Sequence, residues 1–175
     1  MDIPADAVPT GFAPPPGCYG VVKAGGFYAW LIRAATKSKY DHAFVVCDNL
    51  RIIEAAPSGA RWAELADYDG CEILYNTGEA MSDAQRKAVV AEAVTLLGTP
   101  YGWTDIVRLG LRTLGIQWGW LTRRADNERA MICSQIVARC GEAAGLDWNC
   151  GREAPAAVTP ADLAKRDGMQ PWTAL

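Results

Sequence analysis

The apolar pattern of this chain changes its period midway. In the first half, hydrophobic runs are short, rich in β-branched residues and separated by turn residues. In the second half they recur every three to four positions. Strands gathered before helices, rather than alternating with them, give an α+β order in which an antiparallel sheet packs against helices.

The strands begin at Gly17–Lys23 (GCYGVVK), and Phe27–Ala35 reads as a short helix after the Gly25-Gly26 break. His42–Cys47 (HAFVVC) and Arg51–Ala56 (RIIEAA) flank Asp48-Asn49, the signature of a hairpin. Cys71–Tyr75 (CEILY) is a third partner. Ser82 with Gln85 forms a capping box, and the helix it opens runs toward Gly98 and Pro100. Trp103–Leu114 has a helical period and Gly115–Arg129 reads as a loop. Ile132–Ala144 is helical, with Cys133, Ile136, Val137, Cys140 and Ala144 on one stripe. Thr159-Pro160-Ala161-Asp162 starts a last short helix.

The chain has 175 residues, enough to bury a core without staples, and residues 17–175 read as one domain. Residues 1–16 read as a flexible lead-in, without the basic and apolar regions of a signal peptide. That points to the cytoplasm, or to association with a virion or phage. Against 20 acidic groups stand 17 basic ones, net −3, so no electrostatic footprint for nucleic acid is present. No apolar run approaches the roughly 20 residues of a membrane span. The six cysteines include no C-x-x-C pair and accompany a single His, so no metal site and no cofactor is expected. Most of them read as small buried hydrophobes.

Three residues carry potential chemistry. His42 is the one side chain whose ordinary pKa lies near neutrality, although a strand His is often just a satisfied core residue. Cys133 stands where a helix begins. The macrodipole there favours a thiolate, and first-turn amides can receive an oxyanion; the plain alternative is a core Cys like Cys140. Glu54 interrupts an apolar strand, so it is either solvated or partnered. If Asp48-Asn49-Leu50 form a three-residue loop, Cys47 faces Arg51, and Glu54 is a diagonal neighbour of His42 on one face. A two-residue loop separates them, because strand side chains alternate. Under alternation Cys47 points to the face opposite His42. A Cys nucleophile needs a base, and the base needs an orienting group.

Order and spacing then bring out a family. The segments are Ile32-Arg33, Thr36 to Ala43, Ile53 to Ala60, Leu97-Gly98-Thr99-Pro100-Tyr101, Cys133-Ser134-Gln135-Ile136-Val137 and Val158 to Leu163. Together, over residues 17–165, they resemble the permuted branch of the NlpC-type papain-like cysteine hydrolases. This is the YiiX/YebB-like group, related to the lecithin:retinol acyltransferase type. The resemblance implies a circularly permuted papain-like fold in which the His strand precedes the Cys helix. It implies Cys133 as nucleophile, His42 as base and Glu54 as third member, with Tyr40 and Tyr101 near the site. The amide of Cys133 or Ser134 would hold the oxyanion. The chain departs from many relatives at Asp41, where they have a small residue, and at Ile132, where they have an aromatic one.

The function expected is cleavage of a peptide amide bond, such as those of cell-wall stem peptides. Two alternatives remain open. One is hydrolysis or acyl transfer on a lipid ester or amide, with Trp103, Trp118, Trp120, Ile106 and Leu114 lining an acyl slot. The other is a structural or binding protein, for example of a virion, that keeps the fold with an idle site.

Overall fold

A computed structural model describes residues 14–25, 38–48, 50–102 and 131–171. The expected helices Phe27–Ala35 and Trp103–Leu114, the Gly115–Arg129 loop, the tryptophans of the acyl-slot reading and most of the lead-in lie outside these residues.

Six strands form one antiparallel sheet: β1 (Tyr19–Val22), β2 (His42–Val46), β3 (Arg51–Ala56), β4 (Gly59–Glu64), β5 (Ile73–Tyr75) and β6 (Gln170–Pro171). Their spatial order is β4-β3-β2-β1-β5-β6. A 3-10 turn (Leu65–Tyr68) follows β4. Three helices are described: α1 (Asp83–Thr95), α2 (Cys133–Ala143) and α3 (Pro160–Leu163). The α+β class with an antiparallel sheet is therefore found. The strand β4 and the short β6 were not foreseen.

The β2–β3 hairpin has the odd loop. Phe44 pairs with Glu54 and Val46 with Ile52, and Cys47 N–H donates to the Arg51 carbonyl at 3.0 Å. Alternation then sorts the side chains. Val21, Ala43, Val45, Cys47, Ile53 and Ala55 face a core shared with α1 and α2. Val22, Phe44, Val46, Ile52 and Tyr75 form a second apolar layer, which Tyr68 joins. Gly20, opposite Phe44, lets that ring lie across it, because a Cβ there would sit 2.5 Å from the ring. Phe44 in turn stacks on Tyr68, with centroids 5.3 Å apart.

Ser82 accepts from the Gln85 N–H at 3.2 Å and caps α1, as the capping box requires. Helix α2 is more enclosed than a one-sided stripe. Ser134, Gln135, Ala138 and Gly141 are buried together with Cys133, Ile136, Val137 and Cys140. It packs on β2, β3 and α1. All six cysteines are free; four are buried, Cys71 is exposed and Cys150 is half-buried.

Candidate functional site

The ladder between β2 and β3 covers only the pairs from Val46–Ile52 to Phe44–Glu54. Both strands continue beyond it. His42 stays paired with Val22 on β1, and Ala56 with Gly59 on β4. The site forms at this parted end of the hairpin.

His42 Nε2 lies 2.8 Å from Glu54 Oε2. The Glu54 side chain is only 4% exposed, so its charge needs donors. Besides His42, the Tyr68 hydroxyl donates to Oε2. Arg61 donates to Oε1 through Nε at 3.0 Å and Nη2 at 2.8 Å. Burial pushes the Glu54 pKa up, but His42, Tyr68 and Arg61 outweigh it and hold the value at about 2. Glu54 is thus a carboxylate and can only accept. Nε2 must then carry the hydrogen, which leaves Nδ1 for another partner.

The other group acting on the ring is Cys133, the first residue of α2. Burial disfavours the imidazolium, but the charge and hydrogen bond of Cys133, followed by those of Glu54, outweigh it. The His42 pKa is pushed up to about 10. Tyr68 is pushed up by burial and by Glu54, so it remains a phenol and a donor. Its ring also lies against His42, centroids 5.8 Å apart and 25° from parallel.

Cys133 is the first residue of α2 and is 1% exposed, whereas the His42 side chain is 16% exposed and forms the wetter side of the pair. Ile132 before it is extended (φ −95°, ψ 167°), and Gln135 turns back to accept the Ile132 N–H at 3.0 Å. The N–H groups of Cys133 and Ser134, in the first turn, have no carbonyl four residues back within the helix. They stand at the positive end of its dipole. Such a set can supply a nucleophile, a base, an orienting carboxylate and oxyanion donors.

The structure thus brings Cys133, His42 and Glu54 together. The remaining sequence candidates have other partners. The Ser134 hydroxyl is buried and donates to the Val158 carbonyl at 2.7 Å, so only its backbone amide is at hand. Tyr40 donates to Glu72 Oε1 at 3.0 Å. Tyr101 packs on Ile132 and bridges to Met131, beside the start of α2. Cys47 lies in the layer opposite Phe44, and burial pushes its thiol up to about 12.

Two site residues were not foreseen. Arg61 pairs directly with Glu54 across the β3–β4 hairpin. The turn Pro57-Ser58-Gly59 was the signal for that hairpin. Tyr68 has no comparable signal.

No protein-family model matches the sequence. No curated protein matches it either. A solved structure does share the fold: the crystal structure of the metalloprotein YiiX from Escherichia coli O157:H7. The TM-score is 0.63, with 93% of this chain and 98% of that chain covered, and 16% of residues are identical. The likeness is one of fold, and the chain has a YiiX-like α+β architecture. Among the described residues, no helix is long and apolar enough to cross a membrane.

Proposed function

We propose that this chain is a cysteine hydrolase that cleaves an amide bond, with Cys133 as nucleophile, His42 as acid and base, and Glu54 as the group that orients the ring. One observation carries the reading: a helix-start thiol acts on a single imidazole that is itself hydrogen-bonded to a buried carboxylate. The His and Glu strands precede the Cys helix, so the arrangement is read as circularly permuted papain-like. The family resemblance makes stem peptides of the cell wall the substrate of choice.

In the first stage the Cys133 thiolate adds to the carbonyl carbon. The oxyanion takes hydrogen bonds from first-turn amides of α2. The tetrahedral adduct collapses, the C–N bond breaks, and His42 gives its Nδ1 proton to the departing amine. In the second stage neutral His42 takes a proton from water. The resulting hydroxide attacks the thioester, and the acid leaves as Cys133 is released. Glu54 keeps Nε2 protonated throughout.

The YiiX structure is described as that of a metalloprotein. The residues here do not suit a metal. His42 gives Nε2 to Glu54, both Glu54 oxygens hold donors, and no group of three or more His, Cys, Asp or Glu is placed to hold an ion among the described residues.

The test is release of peptides from purified peptidoglycan, read by mass spectrometry, with a fatty-ester assay run alongside. Cys133→Ala should lower release by on the order of 1000-fold or more. Undiminished release would overturn the proposal. Ester cleavage that depends on Cys133, without peptide release, would move the substrate to the lipid class.

A further inference from the structure

We infer that Arg61 and Tyr68 are positioning residues that temper the charge of Glu54, so that His42 is protonated beside a free thiolate yet neutral once the thiol is acylated. This rests on the reading of Cys133 as nucleophile.

The geometry is a divided clamp. Oε2 of Glu54 accepts from His42 Nε2 and from the Tyr68 hydroxyl, while Oε1 accepts twice from Arg61. Tyr68 also lays its ring against His42, so it touches both members of the pair it adjusts. Among the described residues, two groups that become anions face the ring: Cys133 from α2 and Glu54 from β3. Behind Glu54 stand Arg61 from β4 and Tyr68 from the 3-10 turn.

The two stages of thiol hydrolysis need opposite forms of the same ring. Expelling the amine needs imidazolium, and activating water needs neutral imidazole. Acylation removes the thiolate, one of the two anions. Whether the ring then yields its proton near neutral pH depends on the pull of the other. A bare buried carboxylate would hold the imidazolium. A guanidinium on one oxygen opposes that pull with a full charge, and a phenol sharing the other oxygen draws charge away from Nε2. Satisfying a buried carboxylate needs donors of any kind; tempering it for the ring needs a cation and a shared oxygen, and both are present.

The test uses the full chain with Cys133→Ser, whose hydroxyl stays uncharged and so imitates the acylated state. His42 is the only His, so its ring signals in NMR need no assignment. Added Arg61→Gln or Tyr68→Phe should raise the His42 midpoint by about one pH unit. Arg61→Lys, which keeps the charge, should stay near the parent. Arg61 is 54% exposed and Tyr68→Phe keeps the ring stack, so both variants retain the fold. With the thiol present, Arg61→Gln should also move the optimum of hydrolysis to higher pH with KM unchanged. A midpoint that stays put or falls in both variants overturns the inference. If that happens while Cys133→Ala abolishes hydrolysis, the nucleophile reading stands without it. A raised midpoint with hydrolysis intact in Cys133→Ala shows that Arg61 and Tyr68 act on the ring but removes the nucleophile, and the inferred two-stage role with it.

Discussion

Glu54→Gln is the substitution whose cost is best defined by the structure. The side chain stays the same size, so no cavity forms. Its charge goes, and one acceptor oxygen becomes an NH2 group facing existing donors. If that NH2 replaces Oε1 it meets Arg61; if it replaces Oε2 it meets His42 Nε2–H and Tyr68 O–H. The hold on the carboxylate can be gauged from its pKa, lowered from 4.5 to about 2. At 1.36 kcal/mol per pH unit this is on the order of 3 kcal/mol. The His42 contact contributes to that same energy and is not counted again. Because the folded pKa is below the unfolded one, this stability is fully present above pH 4.5 and is lost as the pH falls toward 2. Urea unfolding at pH 7 should therefore show the variant less stable by about 3 kcal/mol, a midpoint lower by roughly 1–2 M. The gap should narrow steadily on acidification below pH 4.5. An equal midpoint at pH 7, or a gap that does not change between pH 7 and 3, would refute the reasoning.

Two further substitutions separate structural from chemical roles. Ser134→Ala leaves the Val158 carbonyl without its buried donor and should cost about 1–3 kcal/mol in urea unfolding, while hydrolysis per folded molecule stays unchanged because the backbone amide remains. A large loss of turnover in a folded Ser134→Ala protein would return the hydroxyl to the chemistry. Gly141→Ala places a Cβ about 2.6 Å from the Trp148 ring, so α2 must shift or Trp148 must leave its edge-on contact with Tyr19. The expected loss is at least about 1–3 kcal/mol of stability, with altered Trp fluorescence; wild-type stability would contradict the packing.

The His42–Glu54 pairing was legible only as one of two options. Phe44, Val46 and Ile52 fit one apolar face if the loop is odd, but the sequence left its length open, and it is the register of the structure that brings Glu54 to His42. The Cys133 helix was legible from its period, although not its burial on nearly every side, which comes from what packs around it. Strand β4 was hidden because its sequence GARWAE breaks the apolar alternation, with Arg61 and Trp62 both exposed on an edge strand. Without β4 the Arg61–Glu54 pair has no register. Tyr68 was beyond local reading altogether. It lies in a polar 3-10 turn, and only the return of β4 along β3 carries it over Phe44 and Glu54.

The proposed chemistry rests on the coupling between one ring and one sulfur. Histidine NMR on the untagged chain reads it directly, since a single imidazole is present. In the wild type, His42 should remain an imidazolium well past pH 8, in line with a pKa pushed up to about 10, and its midpoint should drop in Cys133→Ala, which removes the sulfur that acts on the ring. A ring that titrates near 6.5 in both proteins would mean that Cys133 and His42 do not form a pair.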